Sequence, residues 1–165
     1  VHQGGATFFE LLPDPPDHAY VDAALMGMVK NPEWFDGAVT PNLLGDNITN
    51  LGAMSQGGMG MAASGNIHPG RVSLFEPIHG SAPKHAGKNV ASPLAAIMAA
   101  GMMLDYLGEK TAATAIDRSI ADLFADGRLQ GAGTGMHPTN EVGDLVAAEL
   151  KKESACSTRF NMYVV

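Results

Sequence analysis

Apolar positions recur every three or four residues in several stretches of the chain, and each such stretch predicts a helix. From Ala19 to Lys30, Val21, Leu25 and Met28 or Val29 fall on one side, and Asn31-Pro32 stops the run. From Thr111 to about Ala125 the inward stripe is Ile116, Ile120 and Leu123. From Asn140 to Lys152 it is Val142, Leu145, Val146 and Leu150. Another helix is predicted to start at Gly45-Asp46-Asn47, with Ile48, Leu51 and Met54 buried and Gly57-Gly58 at its end. The last differs in kind. Ser92 suits an N-cap and Pro93 a first helical residue, and the run on to about Leu107 is apolar on nearly every face. That composition implies either full burial or a subunit interface.

Strand signals are weaker. Phe35 to Thr40 is a short apolar run ended by Pro41-Asn42, Val72 to Phe75 is a second, and Phe160 to Val165 has the pattern of an edge strand. Gly57 to Gly70 reads as a glycine-rich connection, Gly127 to Pro138 as a glycine-rich loop, and Pro13-Asp-Pro-Pro-Asp as a break. Strands alternating with helices favour an α/β architecture, and no internal repeat is present.

Composition narrows the class. The 165 residues suffice for one domain with a real core or for parts of two. A hydrophobic share of 45% against 16% charged residues fits a globular chain and argues against disorder. The net charge of −7 is spread without any basic block, so nucleic acid is not an expected partner. The single cysteine, Cys156, excludes an internal disulfide framework and suits a reducing compartment, which makes a cytoplasmic location the expectation. No signal peptide is visible, and Pro93 to Leu104, the most apolar run, is far short of a membrane span. The start at Val1 reads like the middle of a protein, as in a fragment, a processed product or a trimmed chain.

The most informative segment chemically is Phe75-Glu-Pro-Ile-His-Gly-Ser-Ala-Pro-Lys-His-Ala-Gly-Lys, which continues to Pro93. It offers Gly80 and Gly87 for close backbone approach, the Ser81 hydroxyl, and the cations Lys84 and Lys88. Such a set suits an anionic, polyhydroxylated ligand such as a nucleotide cofactor. A second candidate is Asp46 with Asn50, whose spacing of four puts both oxygens on one helical face. That pair is either an N-cap with a surface amide or half of a site for a hard cation such as Mg²⁺ or Mn²⁺. Asp22 sits among Val21, Ala23, Ala24, Leu25 and Met26 with no charge partner three or four residues on. Either that face is wet or its carboxylate meets a cation.

Other motifs fall away. Gly57-Gly-Met-Gly-Met-Ala-Ala-Ser-Gly lacks the Gly-x-Gly-x-x-Gly of a Rossmann turn and follows a helix. His68 and His137 precede prolines in loops and read as structural or solvated, and the methionines read as core filling. No zinc spacing and no Gly-x-Ser-x-Gly elbow occurs.

Several segments together resemble the β-decarboxylating dehydrogenases, the isocitrate/isopropylmalate dehydrogenase family. They are Tyr20-Val-Asp-Ala, Asn31-Pro-Glu-Trp-Phe-Asp, Asn42-Leu-Leu-Gly-Asp and Phe75-Glu-Pro-Ile-His-Gly-Ser-Ala-Pro, extended by Ala86-Gly-Lys, Ser92-Pro and Met102-Met-Leu. Gln56-Gly-Gly-Met-Gly and Gly65-Asn-Ile-His-Pro-Gly-Arg are most similar to isopropylmalate-type members. The resemblance implies a fold that binds dinucleotide without a Rossmann turn, and a homodimer. On this reading residues 1–56 belong to a dimerising, metal-site domain, 57–152 to a cofactor domain, and 153–165 to a tail.

It further implies that Asp46 is a metal ligand, Asp22 a carboxylate given by the neighbouring subunit, and Asn50 a replacement for a third aspartate, which should weaken divalent-ion binding. Glu76, His79, Gly80, Ser81 and Ala82 resemble the loop along the nicotinamide and adenosine of NAD or NADP. Ser92 stands where many members have an adenine-contacting asparagine. Lys84, with His85 beside it, replaces an acid common in NAD-preferring members, so NADP is expected to bind at least as well. The implied activity is metal-dependent oxidative decarboxylation of a 2-hydroxy acid such as 3-isopropylmalate, isocitrate or tartrate. The general acid/base lysine and the substrate-binding arginines are expected upstream of Val1, and the segment from Phe9 to His18 is shorter than in relatives. No catalytic residue is therefore assigned to this chain, which is expected to show no turnover alone. A non-catalytic regulatory or scaffold relative, or an inactive fragment of the family, is the rival reading.

Overall fold

A computed structural model describes residues 17–131 and 135–158, with backbone alone over 153–158. The expected break at Pro13, the shortened stretch after Phe9 and the edge strand at Phe160 to Val165 lie largely or wholly outside the described residues. The chain divides into two compact units, Val1–Leu51 and Gly52–Val165.

In the first unit, helix α1 spans Val21–Lys30. The amide of Asn31 closes it on the Gly27 carbonyl at 2.7 Å, and Pro32 then opens a 3-10 turn, Pro32–Trp34. The turn brings the Phe35 ring onto α1. A Cβ at Gly27 would lie 3.0 Å from Phe35 Cζ, so any other residue would push the ring outward by a few tenths of an ångström. The strand expected over Phe35 to Thr40 does not form: Asp36-Gly37 bends away and Val39 is exposed. Of that run Phe35 packs against α1. Helix α2, Asn42–Ser55, begins three residues earlier than the sequence suggested. The Pro41 carbonyl takes the Leu44 and Gly45 amides at 3.1 and 2.9 Å, so the helix nucleates at Pro41 rather than at Asp46. At the other end Gly57 and Gly58 both have positive φ, 113° and 97°, and Gly58 N–H donates to the Ala53 carbonyl, as a left-handed helix stop requires.

The second unit carries the core. Strand β1, Ala63–Asn66, pairs antiparallel with β2, Leu74–Pro77, in the register Ala63 to Pro77, Ser64 to Glu76, Gly65 to Phe75 and Asn66 to Leu74. β1 lies within the segment expected to be a plain connection. Its Ala-Ser-Gly-Asn sequence has no β-branched residue, so pairing with β2 imposes the extended form on it. Helix α3, Leu94–Tyr106, covers the face bearing Gly65 and Phe75, and the Phe75 and Tyr106 rings meet at 5.6 Å. Leu94, Ala95, Ala99 and Gly101 of α3 are buried, whereas Met102, Met103 and Tyr106 are about two-fifths exposed. Within one chain, then, α3 is buried along one face only.

Helix α4, Lys110–Ala125, packs on α3, and α5, Thr139–Thr158, packs on α4. Ile116, Ile120 and Leu123 of α4 join Leu94, Leu129, Val142 and Val146 in one apolar cluster, with Leu145 and Leu150 against it. These are the stripes that the periodicity predicted. α5 runs past Lys152 because Glu153 to Thr158 contains no helix breaker, so the first part of the expected tail is helical.

Candidate functional site

The segment from β2 to the start of α3 carries all the proposed cofactor residues. Glu76 is exposed on β2 opposite Ser64, on the sheet face away from Phe75. His79 Nδ1 lies 3.0 Å from the Gly80 carbonyl. A carbonyl only accepts, so Nδ1 carries the hydrogen there, and in the neutral ring Nε2 is left as an acceptor. Gly80 and Ser81 are exposed, and nothing lies within 4 Å of the space a Cβ on Gly80 would take.

Ala82 adopts a left-handed backbone, φ 43° and ψ 62°, immediately before Pro83. For a residue with a Cβ this costs on the order of 1–2 kcal/mol, and strain of that kind is concentrated at binding loops. A 3-10 turn, Pro83–His85, follows, with His85 N–H donating to the Ala82 carbonyl at 2.9 Å and Lys88 N–H to the His85 carbonyl at 3.1 Å. The turns leave Lys84 and Lys88 exposed and His85 half-buried. Arg128 and Lys152 make ion pairs with Asp126 and Glu149, away from this loop in the sequence. Gly87, at φ 72° with open space where a Cβ would stand, keeps the backbone accessible between the two lysines. An exposed, turn-rich loop with free cations and open backbone fits a phosphate-bearing ligand.

Ser92 is placed differently from expectation. The helix starts one residue later than predicted, with Pro93 as its cap, and Ser92 Oγ accepts from Leu94 N–H at 3.4 Å. The same hydroxyl donates to the Gly60 carbonyl at 3.1 Å, which also receives the Ala95 amide. Its hydrogen is therefore spent on joining the 57–62 loop to α3.

In the first unit, Asp46 and Asn50 lie one turn apart on α2, both exposed. Asp46 is not an N-cap, since four helical residues precede it. Its main-chain carbonyl receives the Thr49 hydroxyl at 3.3 Å, while no described hydrogen bond engages its carboxylate or the Asn50 amide. Asp22 is exposed in the first turn of α1, and its Oδ1 accepts from Ala23 N–H at 2.8 Å. Within one chain that carboxylate is exposed to water, and its place in the first turn of α1 is favoured by the helix dipole. Among the described residues no three His, Cys, Asp or Glu side chains are grouped to hold a metal ion. The oxygens of Asp22, Asp46 and Asn50 suit a hard cation in kind, but one chain supplies only a partial set.

Sequence reasoning missed Asn89, Thr139 and Asn140, which tie the end of the loop to α5. The signal was present in Lys88-Asn89-Val90, since asparagine is the side chain that best tolerates left-handed backbone after glycine. His68 and His137 hold loops: His68 N–H donates to Ser73 Oγ at 3.1 Å, and His137 Nε2 accepts from Gln130 N–H at 3.3 Å.

Comparison with known proteins agrees with this architecture. The family described as isocitrate/isopropylmalate dehydrogenase matches residues 16–146. A 3-isopropylmalate dehydrogenase of Mycobacterium avium (strain 104) is 47% identical over 143 residues, covering 83% of this chain and 41% of that protein. One of Thermobifida fusca (strain YX) is 44% identical over 139 residues, covering 83% and 38%. The crystal structure of isocitrate dehydrogenase from Methylococcus capsulatus superposes with a TM-score of 0.80 at 36% identity, covering 90% of this chain and 45% of that one. A β-decarboxylating dehydrogenase from Thermococcus kodakarensis gives 0.70 at 31% identity, covering 89% and 42%. The chain therefore belongs to the isocitrate/isopropylmalate dehydrogenase family and has its fold. It spans about two-fifths of the length of the curated relatives it matches.

Proposed function

We propose that this chain is the nucleotide-holding and metal-holding portion of a dehydrogenase that oxidatively decarboxylates a 2-hydroxy acid of the 3-isopropylmalate type. The observation that carries the reading is the loop from Glu76 to Ser92. It has the family's residues in order, a strained Ala82, and two exposed lysines without a described ion pair. In this role the loop binds and orients NAD or NADP. His79 presents Nε2, Gly80 and Gly87 let backbone approach, and Lys84 supplies positive charge where the adenine ribose would lie. Lys84 pairs better with a 2′-phosphate than with a bare hydroxyl, so NADP is favoured. Asp46 and Asn50, completed by Asp22 of a second copy, would hold Mg²⁺ or Mn²⁺, which when bound supplies Lewis acidity at the substrate's hydroxyl. The proton-moving lysine is not assigned to this chain, and the 165 residues alone are expected to turn nothing over.

Titrating NADPH and NADH into the chain and into Lys84→Glu tests the reading. NADPH should bind the wild type more tightly, and the variant should reverse the order, by about tenfold for one charge-assisted contact. Equal affinities in both proteins would remove Lys84 from the site, and no uptake of either nucleotide would remove the loop from it.

One observation favours the rival, a non-catalytic regulatory or scaffold relative. The Ser92 hydroxyl donates to Gly60, and Asn50 lacks a charge, so two expected ligand contacts are weakened. Strong nucleotide binding by the chain would count against that rival.

A further inference from the structure

Helix α5 begins without a capping side chain of its own. The first N–H groups of a helix have no partner within it, and the Thr139 hydroxyl, a natural cap, is turned to the Ala91 carbonyl at 2.6 Å instead. The partners come from Asn89, at the end of the 76–88 loop. Its carbonyl accepts from Thr139 N–H at 3.1 Å and its Oδ1 accepts from Asn140 N–H at 3.1 Å. Its Nδ2 donates to Asn140 Oδ1 at 2.5 Å. Asn89 reaches both groups because its backbone is left-handed, φ 55°. One residue later the Val90 carbonyl accepts from Gly135 N–H at 2.8 Å. The start of α5 is thus held by the loop, and the loop's arm is held by α5.

We propose that Asn89 is a positioning residue that couples the order of the 76–88 loop to the first turn of α5, so that a nucleotide on the loop tightens the helix and loosening the helix weakens the nucleotide. The second half rests on the reading of the loop as nucleotide-holding. The coupling itself does not. Capping groups on both sides of one contact share a single free-energy balance, and linkage makes the effect reciprocal.

The test uses the 165-residue chain with Asn89→Gly, Asn140→Ala and the double variant. Glycine permits the left-handed backbone and removes the side-chain amide together with its Cβ. Without ligand, amide exchange at Asn140 should quicken about tenfold in Asn89→Gly, and Asn140→Ala should quicken exchange at His85 and Lys88 in the loop. With NADPH, each single variant should bind about threefold to tenfold more weakly, and the double variant no more weakly than the worse single. NADPH should also slow exchange at Asn140 in the wild type and not in Asn89→Gly. A lower melting temperature with loop exchange and NADPH affinity unchanged would mean a merely structural contact and overturn the proposal. If the wild type takes up no NADPH while the loop and helix amides still respond to each other's variants, the coupling stands and the nucleotide reading falls.

Discussion

Ser119 is fully buried on the core side of α4, one position before Ile120, and its hydroxyl finds no hydrogen-bond partner among the described residues. An unpaired buried hydroxyl costs about 1–3 kcal/mol, and alanine is the better helix former by a few tenths. Ser119→Ala should therefore raise stability by about 1 kcal/mol, read as a higher urea midpoint at an unchanged m-value. A loss of that size would mean the hydroxyl has a partner. The position shows what a sequence pattern can carry. Ile116, Ile120 and Leu123 are legible from their spacing, because burying a stripe needs only the right side chains. Whether a serine beside them is buried, or whether Asp22 meets water, depends on what covers that helix. The sequence sets Asp22 among apolar neighbours, yet no residue of α1 is buried. Gly65 was legible only as part of a motif. Its purpose, room for the Phe75 ring and Met102 Sδ at 3.2 and 3.3 Å from a would-be Cβ, needs the helix above it.

Between elements, α4 and α5 are joined at the surface by charge. Arg128, just past α4, bonds Asp126 through Nε at 2.6 Å and through Nη2 at 2.5 Å, and it meets Glu149 of α5 through Nη1 at 2.7 Å. Lys152 reaches the same Glu149 oxygen at 2.9 Å. Hydrogen bonds from Arg128 hold the Asp126 carboxyl below its ordinary 3.8, and those from Arg128 and then Lys152 hold Glu149 below its ordinary 4.5. The same contacts push the Arg128 guanidinium up. Carboxyls depressed in the folded state stabilise it above their unfolded values, and that contribution is lost as pH falls through the lower folded values. The melting temperature should be level above about pH 5 and fall below about pH 4, and Arg128→Gln should flatten that acid limb while lowering the neutral plateau slightly. Parallel acid limbs at low salt would show the cluster carries none of the dependence. The Arg128–Glu149 link was not visible in the sequence, since its partners come from different elements. Long periodic helices were legible to within a residue or two, except that α2 began three residues early and α5 outlasted its apolar stripe. The four-residue β1 was not, because its pairing with β2, and not its own composition, makes it a strand.

At the scale of the whole molecule the family was legible in short motifs held in order over most of the chain, while a metal site was not, because no three candidate ligands are grouped among the described residues of one chain. The carboxylates make this concrete. Asp46 and Asn50 share one face of α2, Asp22 is wet on α1, and no described cluster completes a metal site. On the proposed reading the missing ligand is Asp22 of a second copy, and that has a consequence no single chain can imitate. Asp22→Ala and Asp46→Ala should each lose Mg²⁺ binding, since either variant spoils every site. Mixed in equal amounts, they form some mixed dimers in which the Asp46 of one chain meets the Asp22 of the other. About half of those sites are whole, so a fraction of the wild-type Mg²⁺ capacity should return on mixing. The returned sites should have wild-type affinity, because nothing in them has changed, and the fraction should fall on dilution as the pairs separate. Calorimetric titration of each variant and of the mixture reads all three quantities. If mixing restores nothing although both variants still pair, the two aspartates either serve one chain's own site or serve none.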